Sequence, residues 1–287
     1  MTKDKTSQPP GERNMYLLIT LISYLSTGIV VVLVGYLVIK GSGPLLHSLW
    51  EVMPEHDVEP LWQIWLRSMH QVLAVALFAL PLGVGAGVYF SEYAPDSFYA
   101  SKLLDVISNL AEVPPIVYGL FGWGVFSLGW GSGTAFPILV LAFSIWLLPS
   151  VIVMTYAALQ DVPVSFRRDS LALGATHWQT TYRAVLPYAR RNIAAGIFEG
   201  MARASGEAAP IIMIAASWPD LGGKTLRVLS YHLYRSVLEF PHTGREQLLG
   251  TALLLLVTAV FLQFVAILVR TIQIAPVPSR ERRERGR

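Results

Sequence analysis

Six long apolar runs dominate this chain and limit what it can fold into. A bilayer core of about 30 Å requires roughly 20 predominantly apolar residues per helix. Runs of that kind with few charges lie at 15–39, 68–90, 113–130, 136–158, 192–216 and 249–271. Because 53% of the residues are hydrophobic and only 14% are charged, a water-soluble enzyme is excluded in practice. We therefore expect an all-α integral membrane protein with six transmembrane helices.

The distribution of basic residues predicts the orientation. The first run follows a basic tail, but it is longer than the apolar region of a signal peptide and has no small-residue cleavage site, so we expect it to be retained. With the N-terminus in the cytoplasm, fifteen of the 22 Lys and Arg residues fall on the cytoplasmic side. This asymmetry favours cytoplasmic placement of both termini.

Four regions follow from these spans. We expect a cytoplasmic tail (1–14), a first transmembrane helix with an outer loop (15–66), a helical core (67–272) and a basic cytoplasmic tail (273–287). The core contains a polar cytoplasmic loop at 161–191, which we call the coupling loop. A basic run beside a membrane span typically binds anionic lipid, so membrane lipid is an expected partner and nucleic acid is not.

Several kinds of site are not expected on this chain. There are no cysteines, which excludes thiolate nucleophiles and cysteine metal sites, and the six histidines lack metal-ligand spacing, so we predict no metal. Gly223-Lys224-Thr225 imitates the end of a phosphate-binding loop, but Trp218 occupies the position of its first glycine. No nucleotide site is therefore predicted here.

The coupling loop has the signals of a helix–turn–helix element. Pro163 suits a first helical turn and Gly174 suits a left-handed helix end. Thr176 and Gln179 have the spacing of a capping box, and Pro187 is expected to end the second helix about two turns later. Two interpretations remain open, an ordinary connector and an element on which a soluble partner pushes.

The fifth run contains a charged stretch within its apolar sequence. Arg203 would lie about 15 Å from the Asn192 end, near the bilayer centre, where an arginine costs about 2.5–3.5 kcal/mol on insertion scales. Glu199, Arg203 and Glu207 are spaced i, i+4, i+8 and would share one helix face, where Arg203 is expected to reach either carboxylate and so to be partly neutralised. Pro210 is expected to bend this helix. The three charges either line a pathway or lock the helix to a neighbour.

A resemblance to a known family is carried first by the coupling loop. The segment 171–180, LALGATHWQT, followed by Val185-Leu186-Pro187, resembles the EAA loop of permease subunits of binding-protein-dependent ABC importers. The family's leading glutamate falls on Arg168, so the acid is displaced to Asp169. The resemblance implies that the loop docks into a separate ATPase subunit through Asp169, Ala172, Gly174, Ala175 and Thr176.

Two further segments narrow the resemblance. The segments 109–119, NLAEVPPIVYG, and 206–210, GEAAP, are similar to those of PstA-type permease subunits of phosphate-specific ABC importers, although Glu112 replaces a glycine and Pro115 a serine. This implies that Arg203 and Glu207, with Glu199 on the same face, lie along the route of phosphate. It also implies a location in the bacterial inner membrane and four kinds of partner: a PstC-type permease in a heterodimer, two copies of an ATP-binding subunit, an external phosphate-binding protein and lipid. No cofactor is expected on this chain, since the ATPase uses the ATP.

Other functions remain open at this point. A permease for another oxyanion, sulfate or molybdate, would have the same architecture. A membrane signalling scaffold would sense the transporter without conducting. An integral membrane enzyme would require a cluster of acids, bases or metal ligands, and the sequence offers only the charged stretch of the fifth run.

Overall fold

The computed structural model describes residues 10–50, 59–94, 97–126, 135–217, 228–239 and 245–271, and all regular structure within these ranges is helical. Its first helices are α1 (Pro10–Trp50), α2 (Leu61–Val88), α3 (Phe98–Ala111), α4 (Pro115–Phe126) and α5 (Ala135–Gln160). They are followed by α6 (Val164–Ala172), α7 (His177–Thr180), α8 (Leu186–Gly206), α9 (Ala209–Ser217), α10 (Leu229–Glu239) and α11 (Arg245–Thr271). Two π-helical turns extend this set, Tyr89–Tyr93 after α2 and Thr181–Val185 after α7.

Four helical segments in the described ranges are long and apolar enough to cross a membrane: Asn14–Leu49, Leu61–Tyr93, Phe136–Gln160 and Leu248–Thr271. A fifth is counted if α3 and α4, which meet at 98°, form one broken span. Helices satisfy their own backbone hydrogen bonds, as a bilayer requires. The predicted all-α membrane class is therefore confirmed. The N-terminal tail to residue 9, the segment 223–225 and the basic run 279–287 lie outside the described residues.

Helix α5 lies at the centre of the bundle. It packs against α2, α4 and α8, and its side chains Ile138, Leu139 and Phe143 are fully buried. A Cβ on Gly83 or Gly87 of α2 would lie only 2.6 Å from Val151 or Thr155 of α5. The two helices therefore approach as closely as glycine allows.

The first helix is longer than predicted. It was expected to end near residue 39, but α1 continues through Pro44 to Trp50. Its last turns pack on α11, where a Cβ on Gly41 would lie 2.8 Å from the Leu249 carbonyl oxygen and one on Gly250 would lie 3.0 Å from the Leu45 nitrogen. This packing stabilises the helix beyond its apolar run, because tertiary contacts override weak local end signals.

The fifth apolar run is not one helix. Helix α8 ends at Gly206, Glu207 is extended with φ −84° and ψ 121°, and α9 begins at Ala209. Pro210 offers no N–H to the Gly206 carbonyl and its ring crowds that carbonyl, so the expected bend becomes a complete break. The predicted ladder of Glu199, Arg203 and Glu207 on one helix face is therefore wrong, because Glu207 lies outside α8.

A break also precedes the third run. The run was predicted to start at residue 113 and α4 begins at Pro115, while a separate helix, α3, ends at Ala111. Pro114 disfavours helical geometry at Val113, while Pro115 has the fixed φ that suits a first helical position. The segment 109–119 therefore spans the end of one helix, a short connection and the start of another.

Candidate translocation and coupling site

The two broken helices contact each other next to their breaks. A Cβ on Gly119 would lie 2.5 Å from the Pro210 Cα and 2.9 Å from its carbonyl oxygen. Gly119 lies in the second turn of α4, and Pro210 lies in the first turn of α9. The structure thus brings together segments 109–119 and 206–210, which are distant in sequence. Discontinuous helices that meet in this manner are common at transporter substrate sites.

Hydrogen bonds hold both breaks in place. The Tyr118 hydroxyl donates to the Leu110 carbonyl at 2.8 Å, tying α4 back to the end of α3. The Ser230 hydroxyl donates to the Glu207 carbonyl at 3.2 Å, which anchors the second break to α10. The Glu207 carboxylate accepts a hydrogen bond from the Ala209 N–H at 3.0 Å. Glu207 is therefore a cap for the start of α9, where an acidic group is favoured.

Arg203 is exposed in the last turn of α8, and it forms no hydrogen bond or ion pair with any residue that the structure describes. A cation is favourable at a helix C-terminus, because the last carbonyl groups carry partial negative charge. This interaction replaces the expected neutralisation by two flanking acids. The guanidinium keeps its donors available to an anion at the α8–α9 break.

Glu199 has a different partner from the one predicted. Its carboxylate lies 2.9 Å from the Arg270 guanidinium, near the end of α11. The pair borders a cavity of about 380 Å³ between α5, α8 and α11. The lining residues are Met154, Ala157, Ala158, Asp161, Asn192, Gly196, Glu199 and Arg270. Glu199 therefore connects α8 to α11, and the structure does not pair it with Arg203.

The turn of the coupling loop has the local structure predicted for it. Gly174 adopts φ +85°, a left-handed conformation that disfavours other residues. The Gln179 N–H donates to the Thr176 hydroxyl at 3.3 Å, and the Thr176 N–H donates to the Gln179 side-chain oxygen at 2.9 Å. The capping box is thus confirmed.

The residues predicted to meet an ATPase lie together around this turn. Asp169, Ala172, Gly174 and Thr176 are exposed and Ala175 is partly buried. Leu173 between them has 88% of its surface exposed. Leu171 and Trp178, on either side of it, are also exposed, by 44% and 63%, and several exposed apolar side chains close together are typical of a surface that binds another protein.

Pro187 does not end the second helix, contrary to prediction. Helix α7 continues through the π turn into α8, with the Leu186 N–H donating to the Thr181 carbonyl. The wider π turn accommodates the proline, which cannot donate to the Arg183 carbonyl. The result is one continuous helix over 177–206, which we call the coupling rod. It connects the loop tip directly to the turn that carries Arg203.

A buried ion pair was not predicted from the sequence. Glu92, in the π turn after α2, binds Arg167 of α6 in a bidentate arrangement with distances of 3.0 and 2.7 Å. The hydrogen bond to Glu92 holds the pKa of Arg167 above its usual value. The available signal was an acid at the end of an apolar run, but nothing in the spacing connects two residues 75 positions apart.

Comparison with known proteins decides the family. The sequence matches, over residues 13–274, the family described as "Binding-protein-dependent transport system inner membrane component". The chain belongs to this family. It is therefore a multi-pass inner-membrane protein and a subunit of a transport system.

Individual relatives are consistent with this family. The chain is 29% identical to "Phosphate transport system permease protein PstA 1" of Mycobacterium tuberculosis H37Rv over 247 residues, which cover 84% of this chain and 79% of the relative. It is 29% identical to "Phosphate transport system permease protein PstC 2" of the same organism, over 53% of this chain and 54% of that one.

A solved structure supports the same fold. This chain aligns with a subunit of a bacterial ABC transporter involved in the import of the acidic polysaccharide alginate, with a TM-score of 0.63 and 15% identity. The alignment covers 91% of this chain and 98% of the other. The architecture is therefore that of an ABC importer permease.

Proposed function

We propose that this chain is one of two permease subunits of an ATP-driven importer of inorganic phosphate. The observation that carries the proposal is the exposed, unneutralised Arg203 at the end of α8, beside the place where two broken helices meet. The similarity to PstA 1 supports phosphate as the substrate. Sulfate and molybdate importers are the alternatives, together with a signalling scaffold that does not conduct.

Arg203 would bind the phosphate during passage. Its planar guanidinium can donate two parallel hydrogen bonds to neighbouring phosphate oxygens, and such charge-assisted bonds are strong and directional. A single guanidinium in the last turn of a helix does not enclose the anion, so the anion can leave again. Arg203 is therefore suited to transient binding, as a translocation route requires.

Glu207 would favour phosphate over sulfate at the same break. An ionised carboxylate only accepts hydrogen bonds. Near neutral pH a phosphate monoanion or dianion retains a hydroxyl that can donate to the carboxylate, whereas sulfate has no proton and is repelled. Glu207 lies in the extended connection after α8, four residues beyond Arg203, and in this proposal both groups would contact the same anion. We assign Glu199, paired with Arg270, to helix packing and not to anion binding.

The rest of the transport system supplies what this chain does not carry. We propose a PstC-type permease as the heterodimer partner, two ATP-binding subunits that hydrolyse the ATP, and an external phosphate-binding protein. The coupling-loop tip would dock on an ATP-binding subunit, and the coupling rod would carry its movement to Arg203. We further propose six membrane crossings with cytoplasmic termini, α8 and α9 together forming the fifth.

Uptake of radiolabelled phosphate tests this function. A charge-assisted hydrogen bond contributes about 1.5–3 kcal/mol and 1.4 kcal/mol corresponds to tenfold, so Arg203→Gln should lower uptake by about tenfold or more. Arg190→Gln, at an exposed arginine near the other end of α8, is the matched control and should transport normally. Unchanged uptake by Arg203→Gln at equal membrane abundance would refute the proposed role.

A further inference from the structure

Arg167 joins helix α6 of the coupling loop to helices α2 and α5. Its Nε donates to Glu92 Oε2 at 3.0 Å, and its Nη2 donates to Glu92 Oε1 at 2.7 Å. The Ser91 hydroxyl also donates to Glu92 Oε1, at 2.9 Å. Only 3% of the Glu92 side chain and 23% of the Arg167 side chain are exposed. The pair therefore links α6 of the loop to the end of α2 in a fixed orientation.

The same guanidinium binds the end of α5. Its Nη1 donates to the Val162 carbonyl and its Nη2 to the Leu159 carbonyl, each at 2.9 Å. Leu159 lies in the last turn of α5, where its carbonyl also accepts the Val162 N–H at 3.2 Å, and Val162 lies two residues beyond the end of the helix at Gln160. A single side chain thus holds the coupling loop, α2 and α5 together.

Stability alone is a weak explanation for this arrangement. Burying two charges costs desolvation energy, and apolar residues of similar volume often stabilise a protein equally well. What the pair provides is a directional connection, because a bidentate guanidinium–carboxylate contact permits one geometry. Since α2 and α5 pack through Gly83 and Gly87 with hardly any space between them, we expect a displacement at Arg167 to be carried to both helices.

We propose that Glu92 and Arg167 are positioning residues that couple movement of the docked loop to the membrane helices α2 and α5. This inference rests on the proposed function, in which an ATP-binding subunit moves the coupling loop. The coupling rod connects the loop to Arg203, and the Glu92–Arg167 pair is a second connection, to the central helices. Loss of the pair should let ATP hydrolysis continue while transport fails.

The test compares transport with ATP hydrolysis in proteoliposomes that contain the whole importer. Glu92→Gln and Arg167→Lys should assemble with the ATP-binding subunits and hydrolyse ATP, but the phosphate transported per ATP should fall about fivefold or more. The matched control is Asp105→Asn, in the Lys102–Asp105 pair, whose side chains are each 65% exposed and contribute little as an ion pair. An unchanged ratio in Glu92→Gln and Arg167→Lys would overturn the inference.

A double variant separates coupling from folding. Glu92→Gln combined with Arg167→Gln leaves no buried charge without a partner. If the double variant assembles normally and still transports less phosphate per ATP, the coupling role is supported. If its phosphate transported per ATP returns to the native value, or if it fails to assemble, the coupling role is overturned. If the native complex hydrolyses ATP but carries no phosphate, the proposed substrate is wrong, and the ratio is then measured with sulfate or molybdate, whichever the complex carries.

Discussion

The contact between Gly119 and Pro210 makes Gly119→Ala the most demanding test of the proposed translocation site. The new Cβ would lie 2.5 Å from the Pro210 Cα, and ordinary contact starts near 3.4 Å. The backbones of α4 and α9 would therefore have to separate by about 0.9 Å, since the atoms of Pro210 that the Cβ would meet belong to the backbone and not to a flexible side chain. Overpacking of this kind costs about 1–3 kcal/mol.

The functional effect should exceed the effect on stability. A misplacement of about 1 Å in a binding site can cost roughly a hundredfold in rate, because a charged donor then misses its acceptor. We expect Gly119→Ala to reach the membrane in reduced but measurable amounts. Its uptake of radiolabelled phosphate per molecule should fall by at least about tenfold.

Gly124→Ala is the control for this prediction. It lies on the same helix, and a Cβ there meets nothing within 4 Å. An alanine in a helix is more favourable than glycine by about 0.8–1.0 kcal/mol, so this variant should be stable and active. If Gly119→Ala transports as well as Gly124→Ala, the two broken helices do not form the site.

Three further predictions concern the coupling loop and the Glu199–Arg270 ion pair. Gly174→Ala should lose about 1–2 kcal/mol because of the left-handed backbone at φ +85°, and less ATP-binding subunit should then copurify. Thr176→Ala should lose about 1 kcal/mol with the capping box, while Thr176→Ser should behave as the native chain in the same copurification. Glu199→Gln removes a partly exposed pair with Arg270, which contributes about 0–1 kcal/mol, so its phosphate uptake should stay within about twofold of native. A collapse of uptake in Glu199→Gln would place Glu199 on the route instead.

Local chemistry explains which predictions succeeded. The apolar run at 136–158 became α5 with nearly the same ends, because a long apolar segment has only a helix as a stable form in a bilayer. The Thr176–Gln179 capping box and the left-handed Gly174 were also correct, since each depends on backbone atoms within three residues.

Predictions about prolines were correct in position and wrong in outcome. Pro210 was expected to bend a helix, but it accompanies a complete break that Ser230 and the Glu207 carboxylate hold open. Pro187 was expected to end a helix, but a π turn lets that helix continue. A proline removes one hydrogen bond, and its surroundings then determine whether the chain bends, breaks or continues.

The amino-acid sequence by itself therefore determined the membrane environment, the helical class and the shape of the coupling-loop tip. Only the tertiary structure decided which charges meet: Glu199 with Arg270, Glu92 with Arg167, and Arg203 with no described residue. It also decided that segments 109–119 and 206–210 touch at Gly119 and Pro210. The physical reason is that apolarity and capping act over a few residues, whereas ion pairs and helix contacts depend on how whole helices pack.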